Sequence, residues 1–283
     1  VVSTRARLLA VATPLLGLGA CIGAWWAWVQ LFVEPGSFQA AFAPDQAVRA
    51  LWTLVTDGTL TRHVAASARR IAVGLGLAAL VGIPFGLAVG GLPVFARATG
   101  LVTGLVRMIS PLSWTPLAII WFGVGDPPVY FLIAIGAMWP IALSTSAAVA
   151  GLDRQWLMLG RSLRANRVEL LRTIVWPGVR TDVLTGLRLG LTTAWIILVP
   201  AEMLGVDSGL GYFILDARDR FAYGELMAAV IVIGILGLLL DRLAWWFLTP
   251  RRRRRHARPA QDAGVPRDAD VASVGRRQAA SVR

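Results

Sequence analysis

Six stretches of this chain, about residues 8–33, 71–91, 98–123, 128–150, 183–204 and 226–248, are long, apolar and almost free of charge. A helix needs ~20 mostly apolar residues to cross a bilayer. Inside lipid no water pairs with the backbone, so a spanning segment must satisfy its own N–H and C=O groups. The runs are continuous rather than alternating in polarity, which predicts helices and not barrel strands. The expected fold is therefore an all-α membrane protein with six transmembrane helices. Composition agrees: 56% of residues are hydrophobic and the mean hydropathy is +0.64, against roughly 45–50% apolar in soluble domains.

The formal charge is +12, and its placement excludes a spread-out nucleic-acid-binding face. Arg5, Arg7, Arg97, the 151–182 loop and Arg251–Arg255 fall on one side of the membrane if six spans are counted. By the excess of basic residues in cytoplasmic loops, that side is cytoplasmic and both termini lie there. Arg69 and Arg70, just before the second span, run against this rule. The loops on the other side hold Glu34, Asp45, Asp57, Asp126, Asp207, Asp216 and Asp219.

Four regions follow. Residues 1–33 form the first transmembrane helix. In the external loop 34–70, Val48, Leu51, Leu54 and Val55 share one face of an amphipathic helix. Residues 71–250 form the core transmembrane domain, with a cytoplasmic loop at 151–182. Residues 251–283 read as a disordered basic tail whose arginine run rests on anionic lipid. Cys21 is the single cysteine. Its lipoprotein-like setting, Leu18-Gly19-Ala20-Cys21, lies in an apolar run too long for a signal peptide, so a retained helix is expected.

All 28 basic residues are arginine. A phosphate-binding loop of the G-x-x-x-x-G-K-[ST] type needs its lysine, so ATP hydrolysis by that route is excluded, as is Schiff-base chemistry. His63 and His256 lack metal-ligand company. No catalytic residue, metal site or cofactor is expected in this chain.

Within the spans, Gly82, Gly86 and Gly90 recur every fourth residue, a spacing that lets helix backbones approach closely. Pro84 should bend the same helix. The third span carries "RMISPLSWTPLAIIWFG". Prolines and hydroxyls at mid-membrane belong where a cavity can partner the freed backbone groups. Arg107, Ser110, Pro111, Ser113 and Trp114 are thus candidates for a translocation pathway, together with Trp195 and Glu202. Arg107 either attracts an anion, pairs with an acid or snorkels to the surface. Glu202 either lines the pathway, pairs with an arginine of another helix or bonds to nearby backbone.

The loop between the fourth and fifth spans contains "LGRSLRANRVELLRTIVWPG". Trp156, Leu159 and Leu163 share one helical face, and Val168, Leu171 and Val175 share another. "RAN" reads as the turn between them, with Asn166 taking positive φ, and Pro177 as the stop of the second helix. Two short amphipathic helices with basic outer faces need a surface to bury against, either headgroups or a cytoplasmic partner.

This loop resembles the E-A-A…G…I-x-L-P loop of type I ABC importer permeases. Met158-Leu159-Gly160, Arg164 and Ile174-Val175-Trp176-Pro177 hold its spacing, with Met158 at the Glu position, Arg164 at the Gly position and Trp176 at the Leu position. "SPLSWTPLAIIWFGVGD" and "LVPAEMLGVDSGLGYFILDARD" resemble the nitrate/sulfonate/taurine branch of that family, and the likeness covers about residues 45–250. The resemblance implies a six-helix permease fold with coupling helices between helices 4 and 5. It also implies a bacterial inner-membrane location, a second permease copy, a cytoplasmic ATPase dimer that holds ATP and magnesium, and an extracytoplasmic substrate-binding protein. Trp156, Met158, Leu159, Gly160, Leu163, Arg164, Ala165, Val168, Leu171, Ile174 and Pro177 would then form the ATPase-coupling surface. The substrate implied is a small oxyanion such as nitrate, taurine or an alkanesulfonate. The competing reading is a self-sufficient secondary transporter or channel for a small solute.

Overall fold

A computed structural model describes residues 4–34 and 38–248, so the tail after residue 248, with Arg251–Arg255 and His256, lies outside the described residues. No strand occurs among the described residues. The helices are α1 (Thr4–Phe32), α2 (Pro44–Thr56), α3 (Thr59–Gly91), α4 (Pro93–Met108), α5 (Thr115–Phe122), α6 (Asp126–Ala150), α7 (Arg154–Ser162), α8 (Arg167–Leu170), α9 (Trp176–Glu202), α10 (Leu210–Asp219) and α11 (Tyr223–Leu248).

Among the described residues, four helices are long and apolar enough to cross a membrane: Thr59–Gly91, Asp126–Ala150, Val168–Glu202 and Tyr223–Leu248. The third expected span is not one straight helix. It is a pair, Pro93–Met108 and Pro111–Phe122, bent by 90°. The cause is local. Ile109 and Ser110 are extended, with ψ of 126° and 132°, because the ring of Pro111 disfavours helical geometry in the residue before it. The first expected span, 8–33, falls on α1, Thr4–Phe32, which is not one of those four.

α3 is longer than its apolar run. It starts at Thr59, after Gly58 in a left-handed conformation at φ 77°, rather than near residue 71. Its polar first turns are helical because His63, Ser67 and Arg70 fall on one face, which continues through Gly74, Ala78, Gly82 and Gly86; all of these are buried. That face packs on α6. A Cβ at Gly82 would stand 2.8 Å from the Met138 carbonyl oxygen, and one at Gly90 would stand 2.6 Å from that of Ser146. The glycine stripe is therefore a helix-packing seam. An adjoining face of α6 packs on α9, where a Cβ at Gly186 would lie 2.8 Å from the Ser144 Cβ. One apolar core joins these three helices through Ile71, Ala78, Leu132, Ile133, Ile141, Ala194 and Leu198. A second joins α2, α10 and α11 through Leu54, Leu210, Phe213, Ala228 and Val232.

α2 is helical as expected, but its faces differ from the expectation. Ala47 and Leu54 are buried, while Val48 and Val55 are exposed with Trp52. The second core takes the Leu54 side with Ala50 and Leu51, so the four apolar residues divide between two surfaces.

Candidate functional site

The loop after α6 folds into a helical hairpin, α7 against α8. Gly160 is buried at their contact, where an added Cβ would meet Leu170 Cδ1 at 2.6 Å and Ile174 Cδ1 at 2.9 Å. α7 ends in a C-cap: the Ala165 N–H donates to the Gly160 carbonyl at 3.0 Å, and Arg164 stands between them at φ 57°. This is the left-handed position where glycine usually ends a helix. The residue with positive φ is therefore Arg164 and not Asn166. Asn166 instead caps α8. Its side-chain oxygen accepts from the Glu169 N–H, and the Glu169 carboxylate accepts from the Asn166 N–H, each at 2.8 Å, a reciprocal capping box. With that bond available, Asn166 gains more as a cap than as the turn residue.

A non-glycine residue in this conformation is disfavoured by roughly 1–2 kcal/mol. Arg164→Gly should therefore stabilise the hairpin by about 1 kcal/mol, read as slower hydrogen–deuterium exchange over residues 159–166. Unchanged or faster exchange would contradict the assigned turn.

Pro177 does not stop the second helix. A π-helical turn, Leu171–Val175, leads straight into α9, and Val168–Glu202 is one helix of 35 residues. Pro177 sits in the first turn of α9. The wider π turn shifts the hydrogen-bond register where proline has no N–H to give. On the hairpin surface Trp156, Met158, Leu159, Leu163, Val168 and Leu171 are exposed. Arg164 and Pro177 are exposed too, and Ala165 and Ile174 are half-buried.

At the far end of the same long helix, Glu202 is completely buried beside the equally buried Arg70. The Ser67 hydroxyl donates to the Glu202 carboxylate (2.8 and 2.9 Å to its two oxygens), Arg70 Nη1 donates at 2.8 Å, and the Gly211 N–H donates at 3.0 Å. Arg70 also donates to Asp126 Oδ1 through Nε at 2.8 Å, to the Ser208 carbonyl at 2.6 Å and to the Ser208 hydroxyl at 3.0 Å. Arg69 pairs with the other Asp126 oxygen, which the Tyr130 hydroxyl also reaches at 3.2 Å. The Ser67 hydroxyl accepts the Leu210 N–H at 3.0 Å, and His63 Nδ1 accepts the Gly209 N–H at 3.1 Å. Gly209 has φ 106°, and a Cβ there would run into Arg70 and Glu202. Two arginines and two carboxylates thus balance in a cluster that ties α3, α6, α9 and the turn before α10.

The sequence pointed to Glu202 but not to Arg70, one of the two arginines that run against the charge rule. Arg70 is a buried ion-pair partner and not a loop charge. One signal for it existed: His63, Ser67 and Arg70 continue the period of the glycine stripe.

The other candidate pathway residues separate. Arg107, Pro111 and Trp114 line a cleft of about 340 Å³ with Trp139 and Thr193. Arg107 and Trp139 also line an adjoining cleft of about 190 Å³ with Phe85, Thr103 and Ser146. Arg107 takes part in none of the ion pairs among the described residues. It is exposed in the last turn of α4, beside the middle of α6. Ser110 and Ser113 are exposed at the break. Trp195 lies elsewhere, packed between the two cores, and Glu202 is sealed in the cluster. No group of three or more potential metal ligands occurs among the described residues.

Several known proteins are similar in sequence to this chain. The taurine transport system permease protein TauC of Escherichia coli is 33% identical over 229 residues, 79% of this chain and 82% of the relative. The nitrate import permease protein NrtB of Leptolyngbya laminosa is 32% identical, covering 72% of this chain and 76% of its own length. The bicarbonate transport system permease protein CmpB of Synechococcus elongatus is 35% identical over 254 residues, 86% of this chain and 90% of the relative. Residues 82–252 match the family described as binding-protein-dependent transport system inner membrane component. With its spanning helices, its broken third segment and its polar hairpin, this chain belongs to that family of ABC importer permeases.

Proposed function

We propose that this chain is the permease subunit of an importer for a small oxyanion, driven by a separate cytoplasmic ATPase. The observation that carries the reading is the hairpin 154–175. It presents exposed apolar side chains and passes without a break into a spanning helix. Motion received at the hairpin therefore enters the membrane along one continuous helix. The ATPase dimer holds ATP and magnesium, an extracytoplasmic binding protein delivers the substrate, and two copies of this chain enclose the pathway. Both termini face the cytoplasm. Alternating access then requires that nucleotide-bound and nucleotide-free ATPase states contact the hairpin differently, because only a differential contact shifts an equilibrium.

The substrate class is supported by the relatives, whose names specify taurine, nitrate and bicarbonate, all small and oxygen-rich with an anionic group. Within the membrane, the cleft holding Arg107, Pro111 and Trp114 is the candidate passage, and the arginine supplies the charge that favours an anion. Arg107→Gln should lower anion transport at least tenfold while ATPase association persists, and Arg107→Lys should restore part of it. Equal transport by wild type and Arg107→Gln would remove the residue from the pathway.

The function itself is tested by reconstituting the chain in proteoliposomes with its cognate ATPase and binding protein. ATP-dependent uptake that requires all three components is the expected result. Substrate flux through this chain alone would instead establish a self-sufficient transporter.

A further inference from the structure

We propose that Arg70 and Glu202 form a switchable joint through which the long helix works the end of the bundle opposite the coupling hairpin. The proposal rests on the reading above that the hairpin receives motion from an ATPase. Val168–Glu202 spans 35 residues, or roughly 52 Å at about 1.5 Å per residue. That exceeds the ~30 Å hydrocarbon core, so the hairpin at one end and Glu202 at the other lie at opposite membrane faces.

What Glu202 meets there is a junction. The Arg70 guanidinium bonds to Glu202 at the end of α9, to Asp126 at the start of α6 and to Ser208 in the turn before α10. Three pieces of chain thus meet on one side chain of a fourth, α3. An apolar plug would hold these helices as well or better, since a buried ion pair adds little net stability over a packed hydrophobic replacement. What the ion pair adds is discreteness. Its bonds are short and directional, so a shift of α9 by an ångström or two exchanges partners instead of stretching contacts.

The cluster also contains the means to survive that exchange. Asp126 is partly exposed, with a side chain 26% accessible, and it already pairs with both Arg69 and Arg70. If Glu202 withdraws, Arg70 keeps a counter-charge. Glu202, in turn, keeps the Gly211 N–H, whose residue follows it through the turn 203–210. The bond between them breaks without stranding either charge. Gly209 and Leu210 are held to His63 and Ser67 of α3, and these two bonds exchange together with the Arg70–Glu202 pair when α9 carries the turn with it. Arg70 and Glu202 are thus positioning residues for transport, set at the outer end of the bundle.

The test uses the full importer in proteoliposomes, with ATP turnover measured with and without loaded binding protein and with substrate moved per ATP. Glu202→Gln keeps the shape and removes the charge. The expected result is a several-fold rise in ATP turnover without binding protein and a fall in substrate moved per ATP, while ATPase association is unchanged. Arg70→Lys should fall between wild type and Glu202→Gln. If Glu202→Gln fails to fold, the double variant Arg70→Met/Glu202→Met replaces the pair with apolar groups of similar size, and the same two quantities are read. A lowered melting temperature with unchanged coupling in the variants would overturn the proposal and leave the cluster a static brace. Failure of the functional reading looks different: the wild-type complex itself would then show no ATP-driven uptake.

Discussion

Changing Leu163 and Leu171 together to aspartate is expected to abolish ATPase association and transport while leaving this chain folded. Both side chains are exposed, Leu163 at 74% and Leu171 at 41%, and surface substitutions away from special features usually change stability by less than about 0.5 kcal/mol. The effect falls on the partner. Each leucine buried in a docking cleft contributes about 1.5–3 kcal/mol, and an unpaired carboxylate placed there adds a desolvation penalty. Together these reach about 5 kcal/mol or more, which at 1.4 kcal/mol per decade is on the order of a 10³- to 10⁴-fold loss of affinity. Titration of detergent-solubilised permease with its ATPase measures this directly. The alanine pair, which removes contacts without adding charge, should lose less. Retained binding by the aspartate pair would move the docking surface elsewhere.

Gly86→Leu should have the largest effect on the fold. A Cβ at Gly86 would stand 2.5 Å from the Ala142 carbonyl oxygen and 2.7 Å from the Thr145 Cβ. Neither neighbour can yield, since one is backbone and the other is a buried, branched side chain. The α3–α6 seam must open, and the contacts at Gly82 and Gly90 open with it. Overpacking of this kind destabilises by about 1–3 kcal/mol and occasionally more; spread over a whole seam, the upper end is expected. In lipid the loss is not softened, because close packing is what holds such helices together. Gly76→Leu on the same helix is the matched control, since an added Cβ there meets nothing within 4 Å. Denaturant unfolding of the two variants should separate them clearly. Similar midpoints would mean that the seam does not hold the bundle.

The elements differ in how far they could be read in advance. Helices α6 and α11 follow their apolar runs almost residue for residue, because length and hydropathy decide spanning. α3 and α9 begin well before their runs. Their extra turns are polar, and burial of those polar faces depends on partners distant in sequence. The broken third segment was legible in Pro111 and Pro116, but its 90° bend was not, since proline marks where a helix ends and packing decides where the next one points. In the hairpin, the apolar faces were legible from period alone. The turn was misassigned by one choice between neighbours: Asn166 tolerates positive φ well, yet its bond with Glu169 placed the strain on Arg164.

The apolar runs alone determined that this chain is a helical membrane protein, because in lipid a backbone must close its own hydrogen bonds. The four-residue glycine spacing likewise marked a seam before any partner was known. Which groups meet was decided only in three dimensions. Arg70 and Glu202 lie 132 positions apart, and nothing local pairs them. Their contact exists because the glycine seam brings α3 onto α6 and α9 packs beside α3 on an adjoining face of α6, leaving two opposite charges face to face where water cannot reach them.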